Sequence, residues 1–126
     1  MTPPKPMVSV IEDDDSLAEA IAGLLRSAGY RTSVHRSAEA FLDSSEFAAA
    51  ACVVADIQLP GMSGIDLIAQ LQTSPVAAIP VIMMTARVEK DLEVRAIASG
   101  AFYFLQKPFT ADVLLDCIER AIVAGP

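Results

Sequence analysis

Polar residues follow each of four short apolar runs in this 126-residue chain, and together they could carry out phosphoryl chemistry. In chain order they are Glu12 and Asp13, then Asp56, Thr85 and Lys107. Three carboxylates brought close together would raise one another's pKa values unless a cation lay among them. Mg²⁺ meets this need, because it prefers oxygen ligands from one or two carboxylates, water and phosphate. No histidine or cysteine stands among these polar residues to favour a softer metal.

The other two residues supply what a carboxylate cluster lacks for binding phosphate. The ammonium of Lys107 can contact one phosphate oxygen, and the hydroxyl of Thr85 can donate to another. Phosphoryl transfer needs mainly positioning and charge neutralisation around the nucleophile. Asp56 is the natural nucleophile, because an ionised carboxylate can form an aspartyl phosphate without a general base. Ala86 would leave the approach to Asp56 open.

The elements that must position these residues begin with the apolar runs themselves. Continuous apolar runs bounded by turn residues are typical of parallel strands that are covered on both faces. The fifth segment, Arg31–His35, is more polar and suits an edge strand, where His35 is expected to be exposed. The predicted central strands are Met7–Ile11, Cys52–Ala55, Val81–Met84 and Phe102–Leu105.

Helical periodicity fills the segments between the strands. The first helix is expected to begin at Ser16, with Glu19 completing a capping box, and to stop at Gly29. Asp14 and Asp15 are assigned the ordinary role of favouring the positive end of this helix. Three further helices are expected. They begin near Ser37, at the capping box formed by Ser63 and Asp66, and after Thr110.

The segment Lys90–Ser99 is only weakly amphipathic. It is assigned as a helix mainly because a parallel connection to the next strand needs a crossover. Strand and helix therefore alternate five times, which predicts one α/β domain over 1–126. The expected fold is a doubly wound five-stranded parallel sheet of flavodoxin-like order 2-1-3-4-5, with helices on both faces. Its ligand crevice would lie at the carboxyl ends of strands 1 and 3.

Composition limits where the protein can be located and what it can bind. No stretch approaches the ~20 apolar residues that cross a bilayer, and no secretory signal is visible, so a cytoplasmic protein without membrane contact is expected. The net charge of −7 would repel a phosphate backbone, which argues against direct nucleic-acid contact by this domain. Cys52 and Cys117 lie in apolar runs and are expected to be small buried hydrophobes.

Taken together, these motifs resemble the receiver domains of two-component response regulators. The resemblance covers essentially the whole chain, and the segments 37–42 and 104–109 look most like the branch exemplified by FixJ. Members of that branch control transcription through a separate helix-turn-helix domain. The motifs that carry the resemblance are Glu12-Asp13, Asp56 with Leu59-Pro60-Gly61-Met62-Ser63-Gly64, Thr85-Ala86, Gly100-Ala101 and Lys107-Pro108-Phe109.

The resemblance implies a role for each matching residue. Asp56 would accept the phosphoryl group, and Asp13 would bind Mg²⁺ directly. The backbone carbonyl of Gln58 would be a further ligand. Glu12 stands where aspartate is usual in the family, which leaves direct and water-mediated ligation both open.

The resemblance implies that the remaining motif residues either contact the phosphoryl group or change conformation when it is bound. Thr85 and Lys107 would contact the phosphoryl group, and the Lys107–Pro108 bond would be cis. Phe104, in place of the commoner tyrosine, would be the aromatic switch residue. A sensor histidine kinase would be the donor, and the phosphorylated domain would pair with a second copy through helix 4, strand 5 and helix 5. The domain would catalyse its own phosphoryl transfer and slow dephosphorylation without being a turnover enzyme.

Three other functions would suit the same fold. A flavodoxin is disfavoured, because the acidic residues 12–15 would repel a flavin phosphate. An aspartate-dependent phosphohydrolase would carry a second aspartate where this chain has Gln58. A stand-alone receiver that acts by binding a protein or passing on its phosphoryl group stays open. Arg87, two residues past Thr85, could be ordinary surface charge or could influence access to Asp56.

Overall fold

Five strands alternate with five helices along the chain, in a computed structural model that describes residues 5–44, 49–73, 79–87 and 89–124. The ends of the predicted domain, 1–4 and 125–126, therefore lie outside the described residues. In chain order the elements are β1 Met7–Ile11, α1 Asp15–Ser27, β2 Arg31–His35, α2 Ala38–Leu42, β3 Ala50–Asp56, α3 Gly64–Gln72, β4 Val81–Thr85, α4 Lys90–Ser99, β5 Tyr103–Gln106 and α5 Ala111–Ala124.

The strands form one parallel sheet in the order β2-β1-β3-β4-β5, which confirms the predicted topology. Successive residues of a strand point to opposite faces. Cys52 and Val54 of β3 therefore join a core with α1 and α5, whereas Val53 and Ala55 join a core with α2, α3 and α4. Burial on both faces explains why the central strands are continuously apolar.

The strands reach further into the polar residues than the apolar pattern predicts. β3 includes Asp56, which lies opposite Met84, and β4 includes Thr85, which lies opposite Gln106. β5 likewise begins and ends one residue later than predicted. Apolar runs report burial, whereas strand ends are set by backbone pairing, so the polar end residues were missed. The chemistry-bearing side chains therefore stand on the sheet itself or directly after it.

The predicted N-cap of the first helix, Ser16, is wrong by two residues. Asp14 is the N-cap, because its carboxylate accepts a hydrogen bond from the Leu17 amide at 3.1 Å. Aspartate caps a helix as well as serine does, so Ser16 lies inside the first turn. Glu19 does not complete a capping box but pairs with Arg26 at 3.6 Å. The predicted capping box of α3 is confirmed.

His35 was predicted to be exposed, and this is wrong. Its side chain is buried, and its Nε2 lies 2.9 Å from Ser33 Oγ. The ring packs edge-on against Phe41 of α2, with 5.3 Å between the ring centroids. The helix α2 thus covers the end of a strand that is polar in sequence.

Two further expectations concern apolar segments. Cys52 and Cys117 are buried as free thiols, and burial raises the pKa of the Cys52 thiol to about 12. Among the helices of the described ranges, none is both long and apolar enough to cross a membrane.

Alanine substitutions at two glycines should change the stability of the fold in opposite directions. A Cβ on Gly64 would lie 2.7 Å from Met83 Sδ and 2.9 Å from the Asp56 carbonyl oxygen, whereas one on Gly23 inside α1 would meet no described atom within 4 Å. We expect Gly64→Ala to lower the free energy of unfolding by about 1–3 kcal/mol through overpacking. Gly23→Ala should raise it by about 0.5–1 kcal/mol, because alanine favours the helix. Urea titration measures both, and changes of equal sign would contradict this packing.

Candidate functional site

The ammonium of Lys107 joins two carboxylates at the carboxyl edge of the sheet. Lys107 Nζ lies 2.6 Å from Asp56 Oδ2 and 2.7 Å from Glu12 Oε1. These residues end β3 or directly follow β1 and β5, so parallel strand ends bring them together as predicted. Their side chains are only 16% exposed for Lys107, 11% for Asp56 and 2% for Glu12. The three charges therefore interact with little screening by water.

Burial and charge act against each other in this cluster. Burial raises the pKa of Glu12 despite the opposing effects of Lys107 and of the Asp14 amide, and the neighbouring Asp13 adds to the rise. Burial lowers the pKa of Lys107, but hydrogen bonds and charge from Asp56 and Glu12 outweigh it and leave the pKa raised. The ammonium therefore stays charged at neutral pH.

Both oxygens of Asp56 accept hydrogen bonds. Oδ2 accepts from Lys107, and Oδ1 accepts from the backbone amide of Gln58 at 2.7 Å. These two donors fix the plane of the carboxylate at the end of β3. The Gln58 residue itself is exposed, whereas Asp56 is buried. Two donors therefore hold the carboxylate in one orientation.

The predicted metal ligands are only partly brought together. Glu12 and Asp56 meet through Lys107, whereas Asp13 is exposed beside Glu12. Within the described ranges, no three His, Cys, Asp or Glu side chains stand close enough to hold a metal ion in their present arrangement. The ammonium of Lys107 bridges two of the carboxylates. The donor set nevertheless consists of oxygens, which suits a hard cation.

Thr85 and Phe104 lie on neighbouring strands beside this cluster. Thr85 is fully buried, and its Oγ1 accepts a hydrogen bond from the Arg87 amide at 3.1 Å. Its carbonyl accepts from the Lys107 amide at 2.7 Å, which links it to the ammonium-bearing residue. Phe104 is half-buried and packs on the core side that includes α3 and α4. The Lys107–Pro108 peptide bond is cis, as the resemblance implies.

Several contacts around the site have no counterpart in the sequence analysis. Glu39 of α2 accepts the Met62 amide at 3.1 Å and so anchors the segment after β3. Gln106 donates to the carbonyls of Thr85 at 3.3 Å and Arg87 at 3.1 Å. The sequence does mark Gln106 in one way, because it is a polar residue directly before Lys107 at a strand end. Glu39 lies on an exposed helix face and carries no such signal.

Comparison with known proteins places this geometry in a family. The family model for the response regulator receiver domain matches residues 8–119. The transcriptional regulatory protein FixJ of Bradyrhizobium diazoefficiens is 38% identical over 117 residues, which cover 91% of this chain and 56% of that protein. FixJ of Azorhizobium caulinodans is 37% identical over 115 residues, covering 91% of this chain and 54% of that protein. This chain thus spans about half the length of the curated relatives it matches.

A solved structure agrees with these matches. The crystal structure of FixJ-N superposes with a TM-score of 0.84 at 31% identity, covering 97% of each chain. The shared fold, the family match and the acidic site with its lysine all agree. This chain belongs to the receiver domain family of two-component response regulators, and it is similar to the receivers of FixJ-type transcriptional regulators.

Proposed function

We propose that this domain accepts a phosphoryl group on Asp56 from a sensor histidine kinase and changes conformation in response. The observation that carries the proposal is the pair of donors on Asp56, Lys107 Nζ at 2.6 Å and the Gln58 amide at 2.7 Å. They fix the orientation of this carboxylate at the end of β3. An oriented, ionised carboxylate is the form that attacks phosphorus.

A divalent cation fits the charge of the site. Glu12, Asp13 and Asp56 carry three negative charges, and Lys107 balances only one of them. The one ammonium already contacts both Glu12 at 2.7 Å and Asp56 at 2.6 Å, so the acidic side chains outnumber the cations in this cluster. Mg²⁺ would be held by oxygens of Glu12, Asp13, Asp56 and the Gln58 carbonyl, and when bound it would screen the charge of an incoming phosphate.

The transfer itself balances without a general base. An oxygen of Asp56 forms a bond to phosphorus while the bond from phosphorus to the donor's leaving atom breaks, and the leaving group keeps that electron pair. Lys107 is placed to exchange its contact with Asp56 Oδ2 for a phosphoryl oxygen. The hydroxyl of Thr85 would donate to another oxygen. Hydrolysis of the product would be slow, so the domain acts as a switch rather than a turnover enzyme.

The conformational change follows from the groups with which the phosphoryl charge can interact. The phosphoryl group adds negative charge and acceptor oxygens, which interact differently with alternative positions of Thr85. We propose that Thr85 moves toward Asp56, that Phe104 turns inward, and that the surface of α4, β5 and α5 then pairs with a second copy. Val94 and Ile97 of α4 are 65% and 48% exposed, which gives this surface apolar contact area.

The relatives suggest the purpose of the switch. Two of them are named transcriptional regulatory proteins, and each is about twice as long as the matched region. We propose that phosphorylation controls transcription through a separate DNA-binding domain, with no nucleic-acid contact by this domain. A stand-alone receiver that binds a protein or relays its phosphoryl group is the second candidate. The coding sequence downstream of residue 126 distinguishes the two.

Labelling of the intact domain tests the acceptor. With Mg²⁺ and acetyl phosphate, the wild type should gain one phosphoryl group by mass spectrometry. Asp56→Asn should gain none, because an amide is a poor nucleophile. Asp112→Asn, which alters an exposed carboxylate of α5, is the matched control and should label like the wild type. Excess chelator should block labelling. Labelled Asp56→Asn would refute the site, and undiminished labelling in chelator would remove the metal.

Sedimentation with Mg²⁺ and beryllofluoride tests the coupling to the output surface. The wild type should gain mass by pairing, whereas Thr85→Ala should bind the mimic yet stay largely monomeric. Thr85→Ser keeps the hydroxyl and should pair like the wild type. Moving a switch from about 1:99 to 99:1 takes about 5.5 kcal/mol of differential interaction, so losing one charge-assisted hydrogen bond should weaken pairing measurably. Equal pairing of Thr85→Ala would contradict the coupling, as would an unchanged wild type.

A further inference from the structure

The side chain of Gln106 ties the end of β5 to the segment that follows β4. Gln106 lies opposite Thr85 in the sheet, and its Nε2 donates to the carbonyls of Thr85 at 3.3 Å and Arg87 at 3.1 Å. The Thr85 carbonyl already accepts the Lys107 amide at 2.7 Å. The hydrogen bond from Gln106 to the Arg87 carbonyl is therefore the one that adds a restraint, because Arg87 lies beyond the end of β4.

Arg87 is the residue through which neighbouring segments meet. Its amide donates to Thr85 Oγ1 at 3.1 Å, and its Nε lies 3.4 Å from Glu89 Oε1. With the Gln58 amide turned so that its oxygen faces the guanidinium, that oxygen accepts from Arg87 Nε at 3.1 Å and Nη1 at 2.6 Å. A hold on the Arg87 backbone therefore also restrains the segment after β3 and the start of α4.

The start of α4 has little else to fix it. Its N-cap, Glu89, makes no side-chain capping hydrogen bond in the described structure. Only Leu92 and Ala96 of this helix are buried, so few apolar contacts anchor it to the sheet. Hydrogen bonds near the first turn then carry more of the positioning than they would in a well-capped helix.

We propose that Gln106 is a positioning residue that sets how readily the domain switches, an inference that rests on the proposed function. Its bond to the Arg87 carbonyl is made in the conformation where Lys107 contacts Asp56. A displacement of Thr85 and Arg87 toward Asp56 stretches that bond. Removing the bond therefore lowers the free energy needed for the displacement, and a ligand that requires the displacement binds more tightly.

A beryllofluoride titration at saturating Mg²⁺ measures this balance, followed by the amide NMR signal of Arg87. Gln106→Met keeps the size of the side chain but removes the donor, and its midpoint should fall about two- to tenfold. Gln106→Arg restores a donor and should titrate within about twofold of the wild type. Gln70→Met on the exposed face of α3 is the matched control and should also titrate like the wild type. An unchanged or higher midpoint in Gln106→Met would overturn the proposal, as would an equal fall in Gln106→Arg.

Hydrogen exchange separates this inference from the proposed function. In metal-free protein the amide of Arg87, which is bonded to Thr85 Oγ1, should exchange faster in Gln106→Met than in the wild type, and Gln106→Arg should restore the wild-type rate. A purely structural role would lower the free energy of unfolding in urea without moving the titration midpoint, and that result counts against the proposal. A wild type that does not respond to beryllofluoride would refute the proposed function. The exchange rates would then test the role of Gln106 by themselves. Equal rates in Gln106→Met and the wild type would refute its hold on the segment after β4.

Discussion

The ammonium of Lys107 lies between the carboxylates of Glu12 and Asp56, and the geometry of the site depends on this arrangement. A parallel sheet brings its carboxyl ends to one edge, so acids that follow different strands must face one another there. Two carboxylates in a partly dry site repel each other, and desolvation disfavours both charges. One positive charge at less than 3 Å from each offsets this repulsion and holds the two carboxylates close together.

The same arrangement connects the site to the strand ends around it. Lys107 is joined through its amide to the Thr85 carbonyl, and through its ammonium to Asp56. A phosphoryl group on Asp56 would compete for that ammonium and for the Thr85 hydroxyl at once. Gln106 and Arg87 connect the same strand end to the start of α4. These hydrogen bonds and the Arg87–Glu89 ion pair form the connection through which we propose that a change of charge at Asp56 acts on a poorly capped helix.

The sequence predicts the parts of this site that follow from topology. A parallel sheet brings the strand ends that carry Asp56 and Lys107 to one edge, and continuous apolar runs between helical segments favour parallel strands over a one-sided antiparallel sheet. The burial of His35 was missed because it depends on how α2 packs, which periodicity does not report. The cap at Asp14 was missed because serine and aspartate are equivalent candidates within the same turn. The position of Gln106 before Lys107 marks it as a polar strand-end residue, but its two carbonyl partners have no signature in the sequence.

The stability of Lys107→Met across pH, with and without Mg²⁺, tests this charge balance most directly. At pH 7 in chelator the variant should lose about 3 kcal/mol, because two carboxylates remain without their ammonium. The pKa of Glu12 is raised in the folded state, so the cost should be small below pH 4.5, the ordinary value, and grow as pH rises through the raised pKa. Mg²⁺ should restore more stability to the variant than to the wild type. A loss independent of both pH and Mg²⁺ would contradict the account.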